Sequence, residues 1–317
     1  MREATVNGKI AFVFPGQGSQ RVGMGREFYE HLPLARALFQ EGSEALGLDL
    51  ERLCFEGPEE VLTLTVNAQP AILLVSLVAF EAVRGEGIEP HFVAGHSLGE
   101  YSALVAADAL RLADALRVVR KRGEFMQEAV PPGLGAMAAI LGLEESVVFK
   151  ICQEANGIGI VEVANLNAPD QIVISGEIPA VKAAVELAKA QGGKARFLPV
   201  SAPFHSSLMR PAQERLAKVL QDVPVGLPRF PIVANVDAEP YQEVSEVKEK
   251  LVEQVTSPVR WTASIQRLMR EGVRIFVELG SGVVLSNLIK RIDKQARILN
   301  VEDLKSFSAT VAVLKGH

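Results

Sequence analysis

His91-Phe92-Val93-Ala94-Gly95-His96-Ser97-Leu98-Gly99-Glu100 runs from a short apolar segment into a serine with glycines two positions either side, and a helix-forming stretch to Ala107 follows. His91 to Ala94 reads as a buried strand, Gly95 to Gly99 as a sharp turn and Glu100 to Ala107 as the start of a helix. Gly95 to Gly99 fits the G-x-S-x-G pattern, in which a crowded strand-to-helix turn needs small residues beside the Ser and lifts its hydroxyl clear of the sheet. Ser97 is therefore a candidate nucleophile, and the unit around it is that of an α/β fold.

The segments on either side extend that reading. A strand at about 9–14 ends in Gly16-Gln17-Gly18-Ser19, and Asn67-Ala68-Gln69-Pro70 opens a long apolar helix reaching about Val83, which Gly85 and Gly87 stop. A second long helix at about 111–129 ends at Pro131-Pro132-Gly133. The order then changes to strand 135–141, helix 144–155, strand 160–166, strand 171–176, helix 179–191 and strand 194–199, which is the βαββαβ pattern of a ferredoxin-like unit. After Pro203 the α/β alternation resumes, with a strand near 231–236, helices near 245–255 and 261–271, a strand at 274–278 and a helix after Gly280-Ser281-Gly282. The predicted fold is α/β: an α/β-hydrolase-like large lobe with a parallel sheet (1–130 and 200–317), plus an inserted small ferredoxin-like lobe (131–199).

Composition fits this division. A chain of 317 residues exceeds the usual single-unit size of about 100–200, and 48% apolar with only 6% aromatic residues suits helices on a buried sheet. Thirty-three basic against 38 acidic side chains, net −5, give no general attraction to nucleic acid or anionic membranes. Cys54 and Cys152 are too few for a disulfide framework and point to a reducing, cytoplasmic setting. The apolar run Ile10–Phe14 is too short for a signal core, and Pro70–Phe80 is shorter than the roughly 20 residues that span a bilayer, so no membrane association is expected. Monomer is the default expectation.

A serine that starts a helix brings the next amide, that of Leu98, toward its hydroxyl, where it can donate to a developing oxyanion. A second donor is needed, and the amide of Gln17 is the candidate because loops at the C-terminal ends of parallel strands converge on one edge. A serine also needs a base. Of five histidines, His317 is terminal, His31 lies in a polar connection, His91 starts a strand and His96 adjoins the Ser in a strained turn. His205, in the Pro-containing return Ser201-Ala202-Pro203-Phe204-His205-Ser206, remains. A triad of the order Ser, Asp, His offers only Asp108, Asp114 and Asp170, none after an obvious strand, so a different group is expected to orient the His. Arg122, taken alone, reads as a solvated charged helix face.

Phe14-Pro15-Gly16-Gln17-Gly18-Ser19-Gln20, Gly95-His96-Ser97-Leu98-Gly99-Glu100, Arg122-Gly123 with Met126-Gln127, Phe204-His205, and Gln254 with Pro258-Val259 and Trp261 together resemble the malonyl-CoA:acyl carrier protein transacylases of fatty-acid synthesis. The resemblance spans residues 10 to about 292, and Arg260 occupies a variable place in the tryptophan motif. It implies that Ser97 and His205 are the catalytic pair, that the Gln17 and Leu98 amides form the oxyanion hole, that Arg122 binds the malonyl carboxylate, that the Gln254 carbonyl orients His205, and that Asn165 lines the cleft. Phe204, next to the base, would wall the acyl pocket. The implied substrates are malonyl-CoA and an acyl carrier protein, and the implied chemistry uses no metal or redox cofactor. Because the chain is net acidic, a local basic patch is expected for an acidic carrier, with Lys194, Arg196, Lys290 and Arg291 as candidates. The rival readings are a serine thioesterase or esterase, a polyketide-synthesis acyltransferase, and a non-catalytic carrier-binding module.

Overall fold

The structure is a computed structural model that describes residues 8–200 and 202–316, so Ser201 of the return segment and His317 lie outside the described residues. β1 (Lys9–Phe14) leads through α1 (Arg26–His31), α2 (Pro33–Leu46), α3 (Leu50–Phe55) and α4 (Glu59–Thr63) into α5 (Thr65–Gly85). β2 (Phe92–Gly95), α6 (Gly99–Ala106) and α7 (Leu112–Glu128) follow. Then come β3 (Gly135–Leu141), α8 (Glu145–Ala155), β4 (Val161–Ala168), β5 (Gln171–Glu177), α9 (Ile178–Ala190) and β6 (Lys194–Phe197). The chain returns through a short 3-10 turn to α10 (Arg210–Gln221), β7 (Ile232–Val233), α11 (Val244–Glu253), α12 (Trp261–Arg270), β8 (Val273–Leu279), α13 (Val284–Ile292), β9 (Arg297–Val301) and α14 (Leu304–Lys315).

Two sheets result. The five-stranded one has the order β7-β2-β1-β8-β9, with parallel pairings throughout. Its central strand β1 is almost wholly buried, as a strand covered by helices on both faces must be. The four-stranded sheet, order β4-β5-β3-β6, is antiparallel. Helices α8 and α9 pack on one of its faces around a separate core that includes Ile140, Val148, Val163, Ile174 and Val181. The expected α/β architecture with a ferredoxin-like insert is the one observed.

Several boundaries differ from the expectation. α5 begins at Thr65 and carries Pro70 inside it; the ring sits in the second turn, beyond the N-terminal N–H groups that have no intrahelical partner, so the helix forgoes one hydrogen bond there. At 21 residues α5 is long and apolar enough to cross a bilayer, more than the run Pro70–Phe80 suggests, but 83% of its apolar window is buried in the fold. It is the central core helix, flanked by α2, α6 and α7. The strand near 231–236 is reduced to Ile232–Val233, because the chain then turns through Asn235 and Ala238, the latter with φ 60°.

The two sheets are joined by main chain as well as by side chains. Leu166 N donates to Val259 O and Val259 N to Ala164 O, each at 2.9 Å, so β4 pairs with the segment entering α12. The hydroxyl of Thr262 adds a bond to Leu166 O at 3.0 Å.

Candidate active site

β1 and β2 run side by side with Phe14 opposite Gly95, and their exits form one edge of a cleft. A side chain on Gly95 would collide with the main chain of Gly99, and one on Gly99 with the carbonyl of Phe14; the two glycines of the motif are fixed by this crowding. Ser97 between them has φ 51°, the left-handed conformation that a non-glycine residue holds at a cost of about 1–3 kcal/mol. Its main chain is tied down by Asn235, whose Oδ1 accepts from Ser97 N at 2.7 Å while Nδ2 donates to Gly95 O at 2.7 Å.

His205 faces Ser97 from the return segment. Its backbone is also left-handed, φ 57°, and its Nε2 lies 2.7 Å from Ser97 Oγ. Nδ1 lies 2.9 Å from the main-chain oxygen of Gln254. A carbonyl only accepts, so Nδ1 carries the proton and Nε2 is left as the acceptor for the serine hydroxyl. Among the described residues no aspartate is bonded to His205: Asp170 is paired with Arg291, Asp114 with Arg117, and Asp108 is exposed. Burial, followed by the neighbouring Arg122 cation, pushes His205 down to about 3, so the imidazole is neutral at physiological pH and available as a base.

The other histidines are elsewhere or otherwise engaged. His96 Nε2 is 2.7 Å from Asn167 Oδ1 on β4 and its ring meets Trp261 edge-on, which turns it away from Ser97. His91 precedes β2, where its Nδ1 accepts from Ile10 N at 3.1 Å, and His31 ends α1 rather than lying in a connection.

Arg122 corrects the reading of α7 as a uniformly solvated charged face. Arg117 and Lys121 are exposed and pair with Asp114 and Glu124, but Arg122 is 2% exposed and points inward. The reason lies at Gly123, where a Cβ would stand 2.7 Å from Thr65 O; the glycine lets α7 approach α5 closely. Across that contact Arg122 donates to Gln69 Oε1 (2.9 Å), to Gln254 Oε1 (2.9 Å) and to Ser97 Oγ (3.0 Å). Among the described residues its Nε has no partner, and no carboxylate is hydrogen-bonded to it.

The cleft, about 260 Å³, is lined by Gln17, Ser97, Leu98, Arg122, Asn165 and His205, with an apolar wall of Met126, Met137, Leu198 and Phe204. The main-chain N–H groups of Gln17 and Leu98 have no hydrogen-bond acceptor among the described residues. The side chain of Gln17 is held aside by Thr65 Oγ1 at 3.2 Å.

Residues 11–310 match the acyl transferase domain family. The chain is 51% identical over 312 residues to the malonyl CoA-acyl carrier protein transacylase of Bacillus subtilis strain 168, covering 97% of this chain and 98% of that one. The chain belongs to the malonyl CoA-acyl carrier protein transacylase family. The transacylase of that name in Escherichia coli K12 is 43% identical over 309 residues, covering 97% and 99% of the two chains. The solved transacylase of Clostridium perfringens superposes with a TM-score of 0.95 at 43% identity, covering 97% and 98%. A malonyl-transacylase solved in complex with a type II polyketide-synthase acyl-carrier protein gives 0.94 at 41% identity, covering 98% and 100%.

Against this transacylase family, the sequence reading missed four contributors to the site. Gln69, read as part of a helix opening, is 1% exposed and meets Arg122. Asn235 and Tyr241 follow the short β7 in a stretch without a motif. Glu100, quoted only as the end of the serine motif, is 1% exposed and hydrogen-bonded to Tyr241, Gln254 and Asn235. The signal for Glu100 was an acidic residue inside an otherwise apolar helix; for the others no pattern in the sequence was available.

Proposed function

We propose that this chain transfers the malonyl group of malonyl-CoA to the phosphopantetheine thiol of an acyl carrier protein through a malonyl-Ser97 intermediate, supplying malonyl carrier for fatty-acid biosynthesis. One observation carries the reading: Ser97 Oγ lies between a neutral imidazole at 2.7 Å and a buried, carboxylate-free guanidinium at 3.0 Å. His205 Nε2 takes the hydroxyl proton as Oγ attacks the thioester carbonyl, and the oxyanion rests on the Gln17 and Leu98 amides. The C–S bond breaks, CoA leaves and takes the proton from His205. In the second half the pantetheine thiol gives its proton to His205, its sulfur attacks malonyl-Ser97, and Oγ leaves with the proton restored. Each half closes in atoms and charge without a metal or redox cofactor, and malonyl-CoA enters only as substrate.

The Gln254 carbonyl keeps His205 in the productive tautomer. Phe204 and Met126 form an apolar wall that excludes water from the acyl-enzyme and crowds a branch on the acyl α-carbon. A thioesterase reading gives Arg122 no task, and a carrier-binding module needs none of Ser97, His205 and Arg122. The catalytic groups all come from one chain, so the proposed chemistry needs no second copy. Both cysteines are buried and free, their thiols pushed up to about 12 by burial, in keeping with a reducing cytoplasm. The test is intact-mass analysis: malonyl-CoA alone should add one malonyl group, and holo-carrier protein should remove it as malonyl-carrier. Discharge to free malonate with no carrier product would favour a hydrolase.

Arg122 decides which acyl group is accepted. Malonyl differs from acetyl by a terminal carboxylate, which a guanidinium fork can meet with two parallel hydrogen bonds. Arg122→Ala is expected to lower kcat/KM for malonyl-CoA by about 100-fold or more, while acetyl transfer falls little or rises because an unpaired buried cation is gone. The measurement is the malonyl-to-acetyl ratio of kcat/KM; an unchanged ratio would remove Arg122 from substrate recognition.

For the carrier, Lys194 and Arg196 are exposed on β6, and Leu198 beyond them lines the cleft. Arg291 is engaged by Asp170 and Gln171, and Lys290 by the Lys294 carbonyl. The docking proposal therefore narrows to Lys194 and Arg196. Reversing both to Glu should raise KM for carrier protein several-fold, about 1 kcal/mol in all, and leave KM for malonyl-CoA unchanged. Equal effects on both substrates would dismiss carrier-specific steering.

A further inference from the structure

Glu100 sits one helical turn beyond the nucleophile, inside the fold, and none of the steps above uses it. Its Oε1 accepts from the Tyr241 hydroxyl. Its Oε2 accepts from Gln254 Nε2 at 2.6 Å and from Asn235 N at 3.2 Å. Both residues behind that oxygen hold the site directly. Asn235 clamps the main chain of Gly95 and Ser97. Gln254 gives its second Nε2 proton to Ser97 O at 3.0 Å, turns Oε1 to Arg122 at 2.9 Å, and offers its main-chain oxygen to His205.

The sense of the Gln254 amide matters. A carboxylate only accepts and a guanidinium only donates, and the amide lies between them. With Nε2 toward Glu100 and Oε1 toward Arg122, every contact is a hydrogen bond. Reversed, the amide oxygen would face the Glu100 carboxylate and the Ser97 carbonyl, and its NH2 would face the Arg122 cation. The Glu100 carboxylate also acts through its charge on Arg122, whose hydrogen-bond partners are all neutral: Gln69, Gln254 and Ser97. Buried charges are costly without such compensation.

We propose that Glu100 is a positioning residue for acyl selectivity: through the side-chain amide of Gln254 it fixes the Arg122 guanidinium in the place where the acyl carboxylate arrives. This rests on the malonyl-transfer reading and deepens it. Burial raises the Glu100 carboxyl to about 7, against the pull of its hydrogen bonds to Tyr241, Gln254 and Asn235, so the anion predominates at pH 8.

The experiment compares wild type, Glu100→Gln and Glu100→Asp at pH 8, measuring kcat/KM for malonyl-CoA and for acetyl-CoA alongside thermal unfolding. Glu100→Gln keeps the shape, but its NH2 can face Gln254 Oε1 and so permits the reversed amide. It is expected to lower the malonyl-to-acetyl ratio about tenfold, the scale of a hydrogen bond to a charged group, with acetyl transfer falling far less than malonyl transfer. Glu100→Asp, which keeps the charge one methylene further back, should lie between the two. A parallel fall of malonyl and acetyl transfer would mean a merely structural role and would overturn the proposal, as would an unchanged ratio. If Glu100→Gln does not accumulate as folded protein, Glu100→Asp decides: a ratio equal to wild type overturns the proposal. A wild type with no preference for malonyl would instead defeat the reading of Arg122, so the two failures are separable.

Discussion

Ser97→Ala is expected to abolish the malonyl-enzyme and with it malonyl transfer, while the protein stays folded. The substitution removes Oγ and nothing else of the turn. Ser97 N remains bonded to Asn235 and Ser97 O to Gln254, and alanine carries the same left-handed backbone burden as serine. Arg122 loses one of three acceptors, a change of about 1 kcal/mol. No neighbour can replace the nucleophile, since Oγ is the group shared by His205 and Arg122 and His96 is turned to Asn167. Intact-mass analysis after incubation with malonyl-CoA, together with a thermal melt, checks both halves of the expectation. A malonyl adduct on the variant, or transfer at the wild-type rate, would remove Ser97 from the chemistry.

His205→Ala should slow acylation by about 10²–10⁴-fold, the usual loss when a positioned base is removed, and His96→Ala should cost far less. The reverse order would reassign the base. The pH dependence follows from the environment of His205. Its neutral form is the competent one, and burial and then the Arg122 cation hold its conjugate acid down to about 3. The acylation rate of wild type should therefore show no loss from imidazole protonation as pH falls through the ordinary histidine value near 6.5. In Arg122→Ala the cation is gone but the burial remains, so the acid limb, followed with acetyl-CoA, should move upward in pH. A wild-type rate with acetyl-CoA, which depends little on the Glu100–Gln254–Arg122 contacts, that halves near pH 6.5 would contradict this.

The strand–turn–helix around Ser97 was legible because steric exclusion writes itself into residue type: Gly95 and Gly99 cannot carry side chains where they are. The βαββαβ insert was legible from the order of its segments, and His205 from elimination. Arg122 was not legible from α7 alone, since its neighbours Arg117 and Lys121 do form a solvated face; what distinguishes it is the Gly123 contact with Thr65, a fact about a helix distant in sequence. The polar network was hidden for the same reason. Gln69, Asn235 and Tyr241 are brought to Arg122, Gln254 and Glu100 by topology, from separations of 53 residues in the case of Gln69 and Arg122 and 141 in that of Tyr241 and Glu100. Helices α1 to α4, α10 and α14 and strand β9 were not legible, because these segments carry no motif.

The pairing of β4 with Val259 bears on how such enzymes can be recombined. Gln254, which holds His205 and Arg122, lies five positions before a residue hydrogen-bonded on both sides to the small sheet, and His96 beside the nucleophile is bonded to Asn167 on that same strand. A chimaera that exchanged only 131–199 with a relative would graft a foreign partner onto this seam and displace the loop that orients the base. The natural unit of exchange is discontinuous, the insert together with the segment from Gln254 to Trp261, and a shuffled library cut at the obvious proline-rich boundary alone should be poor in active members.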